Sequence, residues 1–149
     1  MAYWLVKSEP DAFGWDQQVE RGVEPWTGVR NHQAKQHLQA MAVGDRAFFY
    51  HSNIGKQIVG VVEVVRAAYE DPTVEASVKE GAKGGMRGGG WVCVDMKAVE
   101  PLPVPVTLAA IKADPALRDM ALVKHSRLSV GPVTAAEWAR VCAMGGLRT

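Results

Sequence analysis

The chain is poor in cysteine and has no long apolar run, and each shortage excludes a class of protein. Cysteine occurs only at Cys93 and Cys142, far apart and among apolar neighbours. This usage is typical of buried residues in a reducing compartment, so we expect no disulfide-stabilised secreted domain. Charged residues interrupt every apolar run before the roughly 20 residues that cross a bilayer, and the stretch from Met1 to Lys7 is too short for a signal peptide. The sequence therefore predicts a soluble, cytoplasmic protein with no membrane partner.

The chain also lacks an excess of charge of one sign. It has 17 basic and 16 acidic residues, which gives a net charge of +1. A protein that binds duplex DNA through many phosphates usually carries a basic excess, so this balance argues against a strong nonspecific nucleic-acid binder. A length of 149 residues with 48% hydrophobic residues suits one globular domain without long disorder. We expect residues 1–149 to form that single domain.

Sequence signals for metal, phosphate or nucleophilic chemistry are missing as well. His32 and His37 are five positions apart, which rotates them by about 140° around a helix, so they cannot share one metal ion. The run from Gly84 to Gly90 lacks the Gly-Lys-Ser/Thr ending of a phosphate loop. Cys93 lies in a predicted strand and has no nucleophile signature around it. We therefore assign no metal, no cofactor and no catalytic residue.

The hydrophobic pattern predicts several strands with helices inserted irregularly between them. The predicted strands are Tyr3 to Lys7, Arg46 to His51, Gln57 to Arg66, Trp91 to Glu100 and Arg127 to Val130. The predicted helices run from Asp11 to about Arg21 and from Asn31 to Ala42, with short helices at Thr107 and Asp114 and a last one capped by Thr134 and Glu137. Polar, glycine-rich residues from Ala67 to Gly90 predict a long mobile loop. This pattern favours an α+β fold built on a small barrel over a doubly wound parallel sheet.

A short segment, Trp26-Thr-Gly-Val-Arg-Asn31, combines an aromatic ring, a glycine, a guanidinium and an amide. Such groups can stack on a flat heterocycle and form hydrogen bonds with its edge. The same residues also have a purely structural interpretation, in which Trp26 is a core anchor and Asn31 caps the following helix. The segment alone favours the structural interpretation.

Other polar and aromatic residues stand at the predicted strand ends, where they could meet in one pocket. They are Lys7 and Ser8, Tyr50 to Ser52, and Arg127 to Ser129. Each has a structural alternative as well: Ser8 can begin a turn, Tyr50 can lie in the core with a wet hydroxyl, and His51 can be an ordinary surface residue. Taken singly, these residues favour the structural alternatives.

Five motifs in order along the chain resemble the EVE domain family. They are Trp4-Leu-Val-Lys-Ser-Glu-Pro10; Trp26-Thr-Gly-Val-Arg-Asn31; Val43-Gly-Asp45 with Phe48-Phe-Tyr-His-Ser-Asn53; Ile58-Val-Gly-Val-Val-Glu-Val-Val65; and Arg127-Leu-Ser-Val130 with Pro132-Val133. The resemblance covers nearly the whole chain. It departs from the family pattern in the glycine-rich stretch from Gly81 to Gly90. The family belongs to the PUA-like group, together with the YTH and ASCH domains.

The resemblance implies a PUA-like fold, a small curved β-barrel with surrounding helices, and a pocket for a modified base. That base would lie in DNA or RNA, either single-stranded or flipped out of the duplex, and would be recognised by stacking and by hydrogen bonds to its edge, without catalysis. The ligand-binding residues implied by the match are Lys7, Ser8, Trp26, Val29, Arg30, Asn31, Tyr50, His51, Ser52, Arg127 and Ser129. In this interpretation Trp26 or Tyr50 stacks on the base, while Lys7, Arg30 and Arg127 hold flanking phosphates or an anionic substituent.

Two alternatives from other classes stay open. Some ASCH relatives hydrolyse acylated nucleosides, and a pocket with Lys7, Ser8 and an acid such as Glu9 or Glu63 would suit acid–base work. Glu63 has an equally good structural interpretation as an ion-pair partner of Arg46 or Lys97. The second alternative is a protein-interaction module with a vestigial pocket.

Overall fold

The fold of the computed structural model, which describes residues 1–73 and 91–147, is an open mixed sheet with helices on both faces. Its strands are β1 (Tyr3–Ser8), β2 (Val23–Pro25), β3 (Arg46–His51), β4 (Gln57–Glu70), β5 (Val92–Thr107) and β6 (Val130–Val133). Their order is β2-β5-β4-β3-β1-β6. The β1–β3 pair is parallel and the other pairs are antiparallel. The α+β class is confirmed, whereas the barrel is not formed, because the edge strands β2 and β6 stand at opposite ends of the order.

Strand boundaries differ from the prediction at three places. β4 continues through Glu70, so residues 67–70 belong to a strand, while residues 74–90 of the predicted mobile loop lie outside the described residues. β5 runs on through the three alternate prolines Pro101, Pro103 and Pro105. The closing strand begins at Val130 rather than at Arg127, because the preceding residues form a turn in which the Leu128 N–H donates to the His125 carbonyl at 3.0 Å.

The helices follow the predicted order with one break and one additional helix, Ala121–Lys124, that the sequence did not predict. They are α1 (Pro10–Phe13), α2 (Trp15–Arg21), α3 (His32–Ala40), α4 (Leu108–Ala113), α5 (Ala121–Lys124) and α6 (Ala135–Gly145), with a 3₁₀ turn at Pro115–Leu117. The helix predicted from Asp11 to Arg21 is divided at Gly14, whose extended backbone (ψ 178°) makes it the N-cap of α2. The capping box of Thr134 and Glu137 at the start of α6 is confirmed.

Alternate residues of the central strands enter two hydrophobic clusters on opposite faces of the sheet, as the period of two requires. Phe49 of β3 lies in the cluster covered by α3, where Ala34 and Leu38 are fully buried. Phe48 lies in the other cluster, under Trp138 of α6 at a ring distance of 3.9 Å. Within residues 1–73 and 91–147, no helix is both long and apolar enough to cross a membrane.

Candidate functional site

A cleft of about 390 Å³ opens where β1 ends and the chain leaves β2. Strand β1 supplies its last two residues, α1 supplies one side, and β2 with the following residues supplies the other. The lining residues are Lys7, Ser8, Ala12, Phe13, Arg21, Glu24, Pro25, Trp26 and Thr27. We call this space the Trp26 cleft. It brings three of the predicted site residues together, namely Lys7, Ser8 and Trp26.

Aromatic rings form the apolar side of the Trp26 cleft. The Trp26 indole is 8% exposed and meets the rings of Phe13 and Phe49 edge-on, at centroid distances of 6.4 and 5.6 Å. Its backbone N–H donates to the Val94 carbonyl at 2.7 Å, which continues the pairing of β2 with β5. Trp26 is therefore a core anchor that also borders the cleft, so the structural and functional interpretations of this residue are compatible.

The polar end of the cleft is held by short contacts at the ends of β1 and β3. The Ser8 hydroxyl donates to the Phe13 carbonyl at 2.6 Å and thereby ties α1 to β1. The Ser52 N–H donates to the Ser8 carbonyl at 2.9 Å. His51 accepts a hydrogen bond on Nε2 from the Trp15 N–H at 3.1 Å, which requires that nitrogen to be unprotonated. Ser52 and His51 thus support the cleft through the backbone of their neighbours.

Lys7 lies between the Trp26 cleft and the opposite face of the sheet. Its Nζ donates to the Ser126 carbonyl at 2.8 Å and stands 5.9 Å from the centre of the Tyr50 ring. Burial lowers the pKa of Lys7. Tyr50 is 3% exposed and packs in the cluster under α6, on the other face from Trp26. The sheet therefore separates the two aromatic residues that the sequence placed in one pocket.

The segment that follows Trp26 is fixed by a buried carboxylate, Asp71, which sequence analysis missed. Asp71 is 1% exposed. One of its oxygens accepts from the Gly28 N–H at 2.8 Å and from Arg30 Nη1 at 3.1 Å, and the other accepts from the Thr73 N–H and hydroxyl at 2.7 and 2.6 Å. Gly28 has a φ of +82°, a backbone conformation that favours glycine. Asp71 therefore joins the end of β4 to the segment bordering the cleft.

Hydrogen bonding decides the charge state of Asp71. Burial alone raises the pKa of this carboxyl, but the hydrogen bonds from Thr73, Gly28 and Arg30 outweigh that effect and leave the pKa below its usual value. Arg30 is thus committed to Asp71, and its second Nη donates to the Thr73 hydroxyl at 3.0 Å. The Arg30 guanidinium therefore stabilises the segment from Trp26 to Asn31 and does not line the Trp26 cleft.

A second depression, of about 300 Å³, lies beside the start of α3. Asn31 and Arg127 line it, together with residues 125 and 126. Asn31 is the N-cap of α3, and its side-chain oxygen accepts from the Ala34 N–H at 2.9 Å, so its predicted capping role is confirmed. Since Lys7 binds the Ser126 carbonyl, the same lysine contacts the margin of this depression and lines the Trp26 cleft.

The two remaining predicted site residues, Val29 and Ser129, line neither the Trp26 cleft nor the second depression. Val29 is 8% exposed and belongs to the cluster under α3. Ser129 offers its backbone carbonyl to the Lys7 N–H at 3.0 Å. The residues that line the cleft and were not predicted include Phe13 and Thr27. The part of the chain that the structure describes contains no group of three His, Cys, Asp or Glu side chains that could hold a metal ion.

An open mixed sheet with helices on both faces and an aromatic-sided cleft beside a parallel strand pair defines this protein as a small α+β domain. The family model of the EVE domain matches residues 2–144, and the chain belongs to the EVE domain family. The resemblance stated from the sequence motifs is confirmed.

Similar proteins come from bacteria and animals. Thymocyte nuclear protein 1 of Gallus gallus is 34% identical over 170 residues, which cover 91% of this chain and 65% of that protein, so the chain spans just under two thirds of that relative. The NMR structure of Rpa0253 from Rhodopseudomonas palustris shares 60% identity with a TM-score of 0.86, covering 98% of this chain and 94% of that one. The crystal structure of human THYN1, solved in complex with 5-methylcytosine containing DNA, shares 28% identity with a TM-score of 0.82 and full coverage of both chains (100%).

An ASCH protein shares the architecture at a greater distance. The crystal structure of a mutant of the ASCH protein from Zymomonas mobilis is 11% identical, with a TM-score of 0.55, and covers 97% of this chain and 99% of that one. At that identity the likeness concerns the fold alone.

Proposed function

We propose that this chain binds a modified base of DNA in the Trp26 cleft and leaves the base chemically unchanged. The observation that carries the proposal is the likeness, over the whole chain, to human THYN1 in a structure with 5-methylcytosine containing DNA. The Trp26 cleft supports it, because a space of about 390 Å³ falls within the usual range of small-ligand pockets, about 300–1,000 Å³. A modified base of RNA is the alternative ligand.

The sides of the cleft suit a flat polar heterocycle. Phe13 and Trp26 offer apolar aromatic surface, and stacking of a base on an aromatic side chain contributes about 1–3 kcal/mol. The Thr27 hydroxyl and the acceptor lone pairs of the Ser8 hydroxyl are available for hydrogen bonds to the base edge. A base reaches such a cleft only from a single strand or after flipping out of the duplex.

Charge in and around the cleft suits a few phosphate contacts only. Lys7 and Arg127 border the Trp26 cleft and the second depression, respectively, and each can face a flanking phosphate. Because the whole chain has a net charge of +1, the affinity comes mainly from the cleft and not from a basic surface. We therefore expect a shallow dependence of affinity on salt concentration.

The test measures the binding of matched oligonucleotides by fluorescence polarisation. The oligonucleotides carry cytosine, 5-methylcytosine or an oxidised methylcytosine at one position, as single strands and duplexes, in DNA and RNA. Trp26→Leu removes the aromatic surface, and Trp138→Phe is the matched control, because Trp138 lies on the other face of the sheet. We expect Trp26→Leu to weaken binding of the preferred modified strand by roughly fivefold or more, as the loss of one stacking contact implies.

The alternatives give different results in the same samples. Binding that is equal for modified and unmodified strands, or that is weakened equally by both variants, contradicts the proposal. Mass spectrometry of the oligonucleotides and of acylated nucleosides after incubation reveals any turnover, which would instead support a hydrolase. No binding by any strand would support a protein-interaction module.

A further inference from the structure

Two cationic side chains and a histidine gather around one indole next to the Trp26-to-Asn31 segment. The Trp91 and His32 rings stack at 4.8 Å with an interplanar angle of 29°. The Arg30 guanidinium carbon and the Lys35 ammonium stand 5.7 and 5.5 Å from the centre of the Trp91 ring. We call these four residues the Trp91 platform. The predicted function does not use Trp91, His32 or Lys35.

Within the part of the chain that the structure describes, the Trp91 platform has an excess of positive charge. Asp71 is the carboxylate that neutralises Arg30, and it is buried and already accepts hydrogen bonds from Gly28 and Thr73. Residues 25–44, which include the whole of α3, contain no acidic residue, although 16 of the 149 residues of the chain are acidic. The face of the Trp91 indole stabilises the adjacent Lys35 ammonium and positions it. No carboxylate in residues 1–73 and 91–147 forms an ion pair with Lys35, so its ammonium can bind an anion.

The platform lies on the same face of the sheet as Trp26. Helix α3, which carries His32 and Lys35, packs with Ala34 and Leu38 in the cluster that contains Trp26. The Trp26 N–H bonds to the carbonyl of Val94 in β5, three residues after Trp91. Three residues of extended chain span about 10 Å, so a nucleic-acid strand with a base in the cleft reaches the platform only if it continues beyond that base.

We infer that the Trp91 platform binds the phosphate backbone of the nucleic-acid strand beyond the immediate neighbours of the base held in the Trp26 cleft. The inference rests on the proposed function, because the cleft must hold a base for the strand to reach the platform. Lys35 is the residue that contacts the phosphate, and Trp91 positions the Lys35 ammonium. Arg30 stays paired with Asp71 and packs beside the Trp91 ring.

The test compares two single strands that carry the same preferred modified base. One has a single nucleotide on each side of that base, and the other has five. Lys35→Gln removes the charge, Lys35→Arg restores it, and Lys112→Gln is the matched control, since Lys112 is an exposed residue of α4 on the other face of the sheet. Affinities are measured over a series of salt concentrations, and thermal unfolding confirms that each variant is folded.

We expect Lys35→Gln to weaken binding of the long strand about two- to fivefold, as the loss of one exposed ion pair implies. The slope of log affinity against log salt should fall by about one. Binding of the short strand should be unchanged, and Lys35→Arg and Lys112→Gln should behave like the parent chain with both strands.

Two other results have separate meanings. If the parent chain binds the long strand and Lys35→Gln matches Lys112→Gln in affinity and salt slope, the platform has no phosphate contact and the inference is wrong while the proposed function stands. If the parent chain binds neither strand, the proposed function itself fails, and the inference fails with it.

Discussion

Replacing Asp71 with asparagine tests how far one buried carboxylate stabilises the segment beside the cleft. The substitution keeps the shape of the side chain but turns one acceptor oxygen into an NH₂ group. If the remaining oxygen faces Gly28 and Arg30, the NH₂ group can donate to the Thr73 hydroxyl but opposes the Thr73 N–H. If it is turned the other way, two donors lose their acceptor. The first arrangement is therefore the less costly one.

The magnitude follows from that arrangement. Leaving the part-buried Thr73 N–H without its acceptor costs about 1–3 kcal/mol, and replacing a charged acceptor of Arg30 by a neutral one costs about 1 kcal/mol more. We expect Asp71→Asn to lower the free energy of unfolding by about 2–4 kcal/mol. With an m of about 2 kcal/mol/M in urea, the middle of the usual range, the urea midpoint measured by tryptophan fluorescence should fall by roughly 1–2 M.

The matched control is Asp119→Asn, which removes the same charge from an exposed ion pair with Lys124, where the Asp119 side chain is 75% exposed. Surface changes of this kind alter stability by about 0.5 kcal/mol or less. If Asp71→Asn and Asp119→Asn shift the midpoint equally, the hydrogen-bond argument for Asp71 is wrong.

Acid provides a second readout for Asp71. The pKa of its carboxyl is lowered in the folded chain, so its contribution to stability is fully present above the unfolded pKa of about 3.9. That contribution is lost as the pH falls through the lower folded value. We expect the stability difference between the parent chain and Asp71→Asn to shrink when urea titrations are repeated at about pH 3. A difference that stays constant would contradict this assignment of the pKa.

Two further predictions concern the residues around Trp15. A Cβ added at Gly60 would stand 2.5 Å from the Trp15 indole, so Gly60→Ala should lower the free energy of unfolding by about 1–3 kcal/mol in urea titrations. Gly131→Ala, in another strand, is the control: its Cβ would meet no atom closer than 3.4 Å, and an equal loss in both variants would contradict the clash. Burial lowers the pKa of His51, although Asp16 opposes the shift, so the folded chain resists protonation and stability should fall as the pH drops below the unfolded value of about 6.5. His51→Gln should flatten the stability profile between about pH 7 and 5, and an unchanged slope would show that His51 does not contribute to it.

Local sequence patterns were enough to predict much of the fold. The aromatic run of β3 and the β-branched run of β4 each bury alternating faces, and those strands start where the pattern begins. The capping residues Asn31 and Thr134 sit three positions before the N–H groups that they accept, so their roles were visible in a few neighbouring residues.

Contacts between residues that are far apart in the sequence could not be predicted in the same way. Asp71 is 43 residues from Gly28, and only the Asp-Pro-Thr turn pattern that begins at Asp71 offered a local signal for it. Tyr50 and Trp26 were placed in one pocket because both stand beside strand ends, but the face to which each points depends on the order of strands across the whole sheet. The prediction of a closed barrel was wrong because strand order across the sheet is also a long-range property. Closure requires β2 and β6 to meet, and no local pattern encodes that contact.

The prolines of β5 limit backbone hydrogen bonding between the outer edge of this sheet and a strand of another chain. Within the described residues, β2 covers only Val23–Pro25 of the outer side and pairs with β5 at Lys97, Met96 and Asp95, so much of β5 beyond them borders no further strand. A second copy could extend the sheet there only by exchanging backbone hydrogen bonds, and Pro101, Pro103 and Pro105 offer no N–H for them. The long strand that supports the centre of the domain is thereby a poor template for aggregation, and a Pro103→Val chain would lose part of that protection.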